Sequence, residues 1–316
     1  MKEIPIINFD IIFISYDEDN ADEHWVDLKK KCPWAKRIHG VRGSDAAHKA
    51  AAQISSTDRF ITCDADTIIK PKFFDITIPE IVANDMKKTI SWCSTNYVNG
   101  LIYGNGSLKC WTKSFVTEMK THEESDQPKN QVEFCFEKGY IHRNEDFSIT
   151  YPNGSPRQAW RSGFREGVKM TLNEGIKISI TELKKEMYWK NLIRLLVWCS
   201  VGADIDYGLW CIYGARMGVL MTNLSNWDYV NVRDFEYLNE MWNDEVSPKF
   251  ASYTSPYMCT VSGYCWNNRK LLSEIYELGK KLRDDLDFEV AEIDENASNF
   301  FRKVFINPIR VDVETY

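Results

Sequence analysis

The apolar and polar positions of the first third of the chain alternate between strand and helix patterns. Phe9-Asp-Ile-Ile-Phe-Ile-Ser15 is a short, nearly continuous apolar run with β-branched residues. A strand covered on both faces of a parallel sheet reads this way, because neither face meets water. Asp19-Asn20-Ala21-Asp22 then supplies a helix start, Trp25, Leu28 and Cys32 share one helical face, and Pro33 ends the segment. Arg37-Ile-His-Gly-Val41 predicts a second strand, and Ser44 caps an alanine-rich helix from about Asp45 to Ile54. Arg59-Phe-Ile-Thr-Cys63 predicts a third strand, which the chain leaves through Asp64-Ala65-Asp66. A βαβαβ order implies right-handed crossovers and a parallel sheet.

Further on, Thr89-Ile-Ser-Trp-Cys93 reads as a strand, and Leu101 to Trp111 as two strands around a Gly-Asn-Gly turn. Thr117 to Lys129 is polar and charged, the composition of an exposed loop or frayed helix, and a strand follows near Tyr140-Ile-His142. The pattern then turns helical. Ser155-Pro156 is an N-cap with proline at the first helical position, opening a helix to about Leu172 with Trp160, Phe164 and Val168 four residues apart. A second helix is expected from about Glu182 to Val201, the end of a third near Gly214-Ala-Arg216, and a last one from Asn268 to about Leu286. The expected class is α/β, with a mostly parallel central sheet and a helical C-terminal part. Three regions are expected: 1–115 as a ligand-binding α/β half, 116–225 as an acceptor and catalytic half, and 226–316 as a C-terminal extension.

Composition narrows the function classes. With 316 residues, 44% hydrophobic, 13% aromatic and 27% charged, the chain is that of a globular protein with a sizeable core. A net charge of −7 argues against a surface that coats nucleic acid, since phosphate binding needs clustered lysine and arginine, but leaves room for a local basic groove. Nine cysteines form no CxxC pair and several sit in apolar patterns, so reduced thiols in a cytosolic setting are expected. The N-terminus leads into a strand rather than an apolar export signal, and Leu192 to Ala203 falls far short of the ~18 apolar residues of a membrane span.

The sharpest chemical signal is Asp64-Ala65-Asp66. Two carboxylates flanking one small residue, just after a buried strand, can address one hard cation directly or through water. In open α/β sheets ligands bind beyond the carboxyl ends of the strands, and both this triplet and Asp17-Glu18-Asp19 fall there. The alternative is a solvated acidic turn. A second triplet, Asp204-Ile205-Asp206, follows a helix, which makes it a loop feature or a secondary catalytic candidate. Arg157, Arg161, Arg165 and Lys169 recur every four residues beside Trp160 and Phe164, a stripe suited to phosphates or simply a solvated helix face. Gly104-Asn105-Gly106 lacks the third glycine and the position of a dinucleotide loop, which excludes a Rossmann dehydrogenase. There is no Walker lysine motif, no Gly-x-Ser-x-Gly elbow and no zinc-type spacing.

The stretch from Ile11 to Thr67 resembles the nucleotide-binding half of GT-A glycosyltransferases. Its first strand ends in acidic and polar residues, its second helix opens at Gly43-Ser-Asp-Ala-Ala-His-Lys-Ala, and its third strand carries Asp-X-Asp. The resemblance covers about 115 residues. It implies Ser15, Tyr16 and Asp17 at the nucleoside, His48 and Lys49 near the diphosphate, and Asp66 with Asp64 at the metal (Mn²⁺ or Mg²⁺) and ribose of a UDP-sugar donor. It implies that Gly104 and Asn105 let backbone approach the donor sugar, with a plain hairpin turn as the alternative; Arg161, within the basic stripe, is the candidate for the donor diphosphate or the acceptor's phosphates. Glu145-Asp146 stands where inverting members carry a general base, with a surface acidic turn as the alternative, and His142 stands as a third metal ligand, with a structural strand histidine as the alternative. Phe13 to Trp25, Tyr103 to Lys109 and Asn153 to Glu166 resemble a narrower group in tailed phages, some of which add glucose or arabinose to 5-hydroxymethylcytosine in DNA. Double-stranded hydroxymethylated DNA is the acceptor this implies. A nucleotidyltransferase also uses paired aspartates, but its loop after the first strand is basic where this one is acidic; a non-catalytic protein binding sugar or DNA on a decayed transferase fold is the remaining alternative.

Overall fold

The computed structural model describes residues 2–104, 108–119, 121, 140–252 and 265–304. The described residues form two compact units, one within residues 1–154 and one within 155–303. The regional seams expected at 115/116 and 225/226 lie inside these units, while the unit boundary falls where the pattern turns helical.

The first unit is built on an eight-stranded sheet. In chain order its strands are β1 (Asp10–Ser15), β2 (Lys36–His39), β3 (Arg59–Asp64), β4 (Thr67–Ile69), β5 (Thr89–Asn96), β6 (Ile102–Tyr103), β7 (Lys109–Thr112) and β8 (Tyr140–Thr150). The spatial order is β2-β1-β3-β7-β5-β8-β4, with β6 beside β5. Strands β1, β2, β3, β5 and β8 run one way and β4, β6 and β7 the other. This is the α/β class with a mostly parallel central sheet that the alternation predicts. The doubly apolar first strand follows from its cover: Ile11 and Phe13 pack into a core with Leu28 and Trp25 of α1 (Ala21–Lys31), while Ile12 packs into another with Ala51 and Ala52 of α2 (Ser44–Ile54). Each fully buried side chain of this size contributes about 2 to 3 kcal/mol. At the amino edge of β3, the buried Arg59 guanidinium donates to the carbonyls of Val82, Ala83, Asp85, Lys88 and Cys110, so its charge is fully solvated by peptide dipoles.

The expected hairpin around Gly104 is corrected. Ile102–Tyr103 and Lys109–Thr112 both run antiparallel to β5, so they are successive stretches of one direction and not two arms that pair with each other. Residues 105–107 lie outside the described residues. So does most of the loop expected from 117 to 129, whose start is the end of α3 (Lys113–Glu118).

The second unit holds α4 (Pro156–Met170), α5 (Trp189–Trp198), α6 (Gly208–Leu224), α7 (Phe235–Met241), α8 (Asn268–Leu286) and α9 (Glu295–Val304). Ser155 caps α4 by accepting from the Gln158 amide, with Pro156 at the first position, as its sequence predicts. The helix expected from 182 to 201 is instead interrupted at Met187 and Tyr188, both extended, and α5 begins only after them. The helix end expected near 214 to 216 is also corrected, because α6 runs straight through it. Gly214 and Gly218 are there for packing: a Cβ on either would lie 2.2 or 2.3 Å from the Trp160 or Phe164 carbonyl of α4. Gly163 and Gly167 of α4 face the Cys211 and Ala215 carbonyls in the same way, so the two helices touch backbone to backbone. Cys32, Cys63, Cys93, Cys110, Cys199 and Cys211 are buried free thiols, and no helix among the described residues is long and apolar enough to cross a membrane.

Candidate functional site

The parallel strands deliver Ser15, Asp64, Asn96 and Thr150 to one edge of the sheet. Ile14 is the ladder partner of Asp64, so Tyr16 and Asp17 emerge beside the Asp64-Ala65-Asp66 turn, where the Tyr16 amide donates to Glu18 Oε2 at 2.7 Å. On the other side Thr150 is the partner of Thr67. The turn thus joins β3 to β4, strands with three others between them in the sheet order. In a flat sheet that separation is about 19 Å. Three Cα steps from Asp64 to Thr67 reach at most about 11 Å. The sheet therefore curls. It can do so because β7 is a short wedge, pairing only with Arg59–Thr62 of β3 and with Ile90 and Ser91 of β5, which leaves the carboxyl ends of the strands to converge.

The turn is held through its main chain. His24, on the core-facing side of α1, donates from Nδ1 to the Ala65 carbonyl at 2.7 Å, and the Tyr151 amide donates to the Asp66 carbonyl at 2.6 Å. A carbonyl can only accept, so His24 carries its proton on Nδ1. Burial lowers its pKa, which keeps the ring neutral near pH 7. Asp66 Oδ1 also accepts from the Thr67 hydroxyl at 3.1 Å. Asn20 fixes the Tyr151 carbonyl at 3.0 Å. The rings of His24 and Tyr151 meet edge to face at 5.4 Å, and Tyr97 stacks on Tyr151 at 4.5 Å and 29°. Asp64 and Asp66 are half-buried, between a fully buried Ala65 and solvent. His24, Tyr97 and Tyr151 are not apparent as site residues from the motif alone. The available signal for His24 was its place on the stripe with Ala21 and Leu28, a histidine among residues that face the core.

Other expected site residues lie elsewhere or are already engaged. Ser15 Oγ is buried, accepts from Arg37 Nε at 2.9 Å and lies 3.0 Å from His39 Nδ1, so it ties β1 to β2. His48 is a core residue: Nδ1 donates to the Ser44 carbonyl at 2.8 Å, the ring meets Trp111 edge to face at 5.5 Å, and burial pulls its pKa down to about 4. Lys49 pairs with Asp45 one turn back, at 2.7 Å. Gly104 is exposed in a turn, and Asn105 lies outside the described residues. His142 is opposite Ser91, five residues before Asn96, which puts it about 16 Å behind the edge. That is too far to share a cation with Asp66, and among the described residues no group of three His, Cys, Asp or Glu could hold a metal. Asp146 is opposite Cys93, about 10 Å behind the edge, and is engaged by Lys70 Nζ at 2.6 Å and by the Thr95 hydroxyl. Its Oδ2 is thus shared between a cation and a hydroxyl. Glu145 is exposed and pairs with Arg143 at 3.2 Å.

Two expected residues belong to the second unit. Arg161 is 5% exposed, with its guanidinium 4.7 Å from the Phe235 ring and Nη1 3.3 Å from Asn239 Oδ1. Arg157 shares Asn239, and Arg165 stacks on Phe235 at 4.5 Å while donating to the Val232 carbonyl, so this stripe is covered by α7 and is not a solvated face. Asp204 binds Arg302 through both carboxylate oxygens, which lowers its pKa against the opposing effect of burial.

No protein-family model matches the chain, and no curated protein matches it. Among solved structures, part of the chain is similar to a glycosyltransferase involved in the glycosylation of the major capsid of PBCV-1, at 14% identity over 46% of this chain and 94% of that one, with a TM-score of 0.27. A likeness of this degree decides neither fold nor activity.

Proposed function

We propose that this protein is a glycosyltransferase that moves a sugar from a nucleoside diphosphate donor to a hydroxyl acceptor, with the diphosphate at the Asp64-Ala65-Asp66 turn. The observation that carries this is the pinned turn: two half-buried carboxylates at the carboxyl edge of a mostly parallel sheet, with the Ala65 and Asp66 carbonyls held by His24 and Tyr151. That edge is where such sheets bind ligands, and a fixed main chain lets two acids address one partner without a reorganisation cost.

The donor set suits a hard divalent cation, Mn²⁺ or Mg²⁺. Asp64 and Asp66 would hold it, and such ions take their remaining positions from phosphate oxygens and water. Bound there, the ion would neutralise the diphosphate that leaves. The acidic Tyr16-Asp17-Glu18 segment beside the turn would lie against the nucleoside, with the Glu18 carboxylate ordering the Tyr16 amide. The donor we favour is a UDP-sugar carrying glucose or arabinose. The acceptor we favour is 5-hydroxymethylcytosine in double-stranded DNA, because Phe13–Trp25, Tyr103–Lys109 and Asn153–Glu166 resemble the phage enzymes that modify it.

The test is Mn²⁺-dependent release of UDP from a panel of UDP-sugars, with and without hydroxymethylated DNA, followed by masses of the digested nucleosides. Transfer predicts UDP release that stops on chelation and a mass gain of one sugar on the modified cytosine. UDP release without any DNA mass change would move the acceptor to a glycan or small hydroxyl compound. Absence of UDP and of UDP-sugar binding would overturn the reading.

A further inference from the structure

Tyr97 is an aromatic ring placed on the site edge with no role so far. It follows Asn96, the last residue of β5, and its amide donates to the Thr150 carbonyl at 2.9 Å. Its ring lies flat on Tyr151, whose own edge rests on the buried His24. The three rings climb from core to surface, from His24 at 4% exposure to Tyr97 at 42%. The middle ring belongs to the residue whose amide holds the Asp66 carbonyl at 2.6 Å. In the first unit the other exposed aromatic among the described residues is Trp34, which precedes β2 at the opposite edge.

We propose that Tyr97 is a stacking platform for the apolar C–H face of a sugar ring. A ring backed by a second ring has already lost its rotamer freedom, so its outer face binds without a further ordering cost. A tyrosine face is electron-rich and favours the weakly positive C–H groups of a saturated ring. β1 and its acidic loop flank the Asp64-Ala65-Asp66 turn on one side, and the Tyr97-Tyr151 pair flanks it on the other. With the diphosphate on the turn and the nucleoside towards β1, what remains on the tyrosine side is the group at the far end of the diphosphate or the molecule that receives it. That the ring is a sugar rests on the glycosyl-transfer reading.

The test compares wild type, Tyr97→Ala and Tyr97→Phe, all checked for an unchanged melting curve. Calorimetric titration with Mn²⁺ and UDP, then with UDP-glucose, UDP-arabinose and UDP-N-acetylglucosamine, reads the donor arm. Saturation-transfer NMR with the methyl glycosides of the same sugars reads the acceptor arm. The expected result is a loss of about five- to tenfold in affinity for a UDP-sugar or a glycoside in Tyr97→Ala, with UDP unchanged within twofold and Tyr97→Phe close to wild type. A loss confined to UDP-sugars places the donor's sugar on the platform, and a loss confined to glycosides places the acceptor's there. If Tyr97→Ala changes neither, or weakens UDP as much as UDP-sugar, the platform is overturned while the transfer reading stands. Tyr97-dependent glycoside binding with no nucleotide binding would keep the platform and overturn the transfer reading. No binding in any arm overturns both.

Discussion

Two of the chain's Asp-X-Asp triplets, Asp64-Ala65-Asp66 and Asp204-Ile205-Asp206, are held by the structure in different ways. Asp64-Ala65-Asp66 turns between β3 and β4 at the carboxyl edge of the sheet, where His24 and the Tyr151 amide donate to the peptide carbonyls of Ala65 and Asp66. Asp204-Ile205-Asp206 lies in a tight loop between α5 and α6, and there it is a carboxylate that holds the shape. Asp204 takes Arg302 of α9 through both oxygens, and Ser298 of the same helix accepts from the Gly202 and Ala203 amides. The loop also closes on itself through Ile205 to Gly202 and Gly208 to Ile205, with Gly202 at φ +130° and Tyr207 at φ +59°. The first turn is thus oriented through peptide carbonyls that remote residues hold, whereas the second commits the Asp204 carboxylate to an ion pair. The pattern of three letters does not distinguish the two cases.

The comparison is broken most severely by Asp66→Ala. Loss of that carboxylate is expected to lower Mn²⁺-dependent UDP-sugar turnover by at least about a hundredfold, measured as UDP released, because it removes charge that would hold the cation. Asp204→Ala is the matched control, and turnover should stay within about twofold. Equal losses from the two variants would abolish the distinction drawn between the triplets.

His24 tests the claim that the first turn acts through its backbone. His24→Phe keeps an aromatic ring but removes the donor to Ala65, and Mn²⁺ affinity, read by calorimetry with UDP present, should fall by about tenfold. His24→Asn places an amide N–H near the position of Nδ1 and should recover most of that loss. If Phe and Asn behave alike, the hydrogen bond to Ala65 is not what positions the turn.

For the second triplet the expected damage is to stability. Asp204→Ala strands Arg302 in a largely buried place and should cost about 1 to 3 kcal/mol in urea unfolding. The smallest effect is its pH dependence. Asp204 has a folded-state pKa below its ordinary 3.8, so its contribution is complete above that value and is lost as the pH falls through the lower folded one. Wild type should therefore lose stability in strong acid more steeply than Asp204→Asn, and parallel acid melts of the two would contradict the pairing with Arg302.

Much of this protein is determined by its sequence over short distances. The doubly apolar Phe9 to Ser15, the Ser155-Pro156 cap and the Asp-X-Asp after a buried strand each state their local structure, because a side-chain period of two or 3.6 and a capping oxygen act within a few residues. What those signals leave open are relations across the chain. The approach of Tyr151 to Asp66, 85 positions apart, depends on a curl that a short antiparallel wedge permits. Gly214 marks a helix contact and not a helix end because Trp160 of α4 lies against it. The stripe of Arg157, Arg161 and Arg165 is covered because α7 folds over it. Tertiary structure also decided how each triplet is held, by His24 and Tyr151 at the Ala65 and Asp66 carbonyls and by Arg302 at the Asp204 carboxylate. The groups that orient a turn can come from anywhere in the chain that the fold brings near, and His24, Tyr151 and Arg302 are all remote in sequence from the triplets they hold.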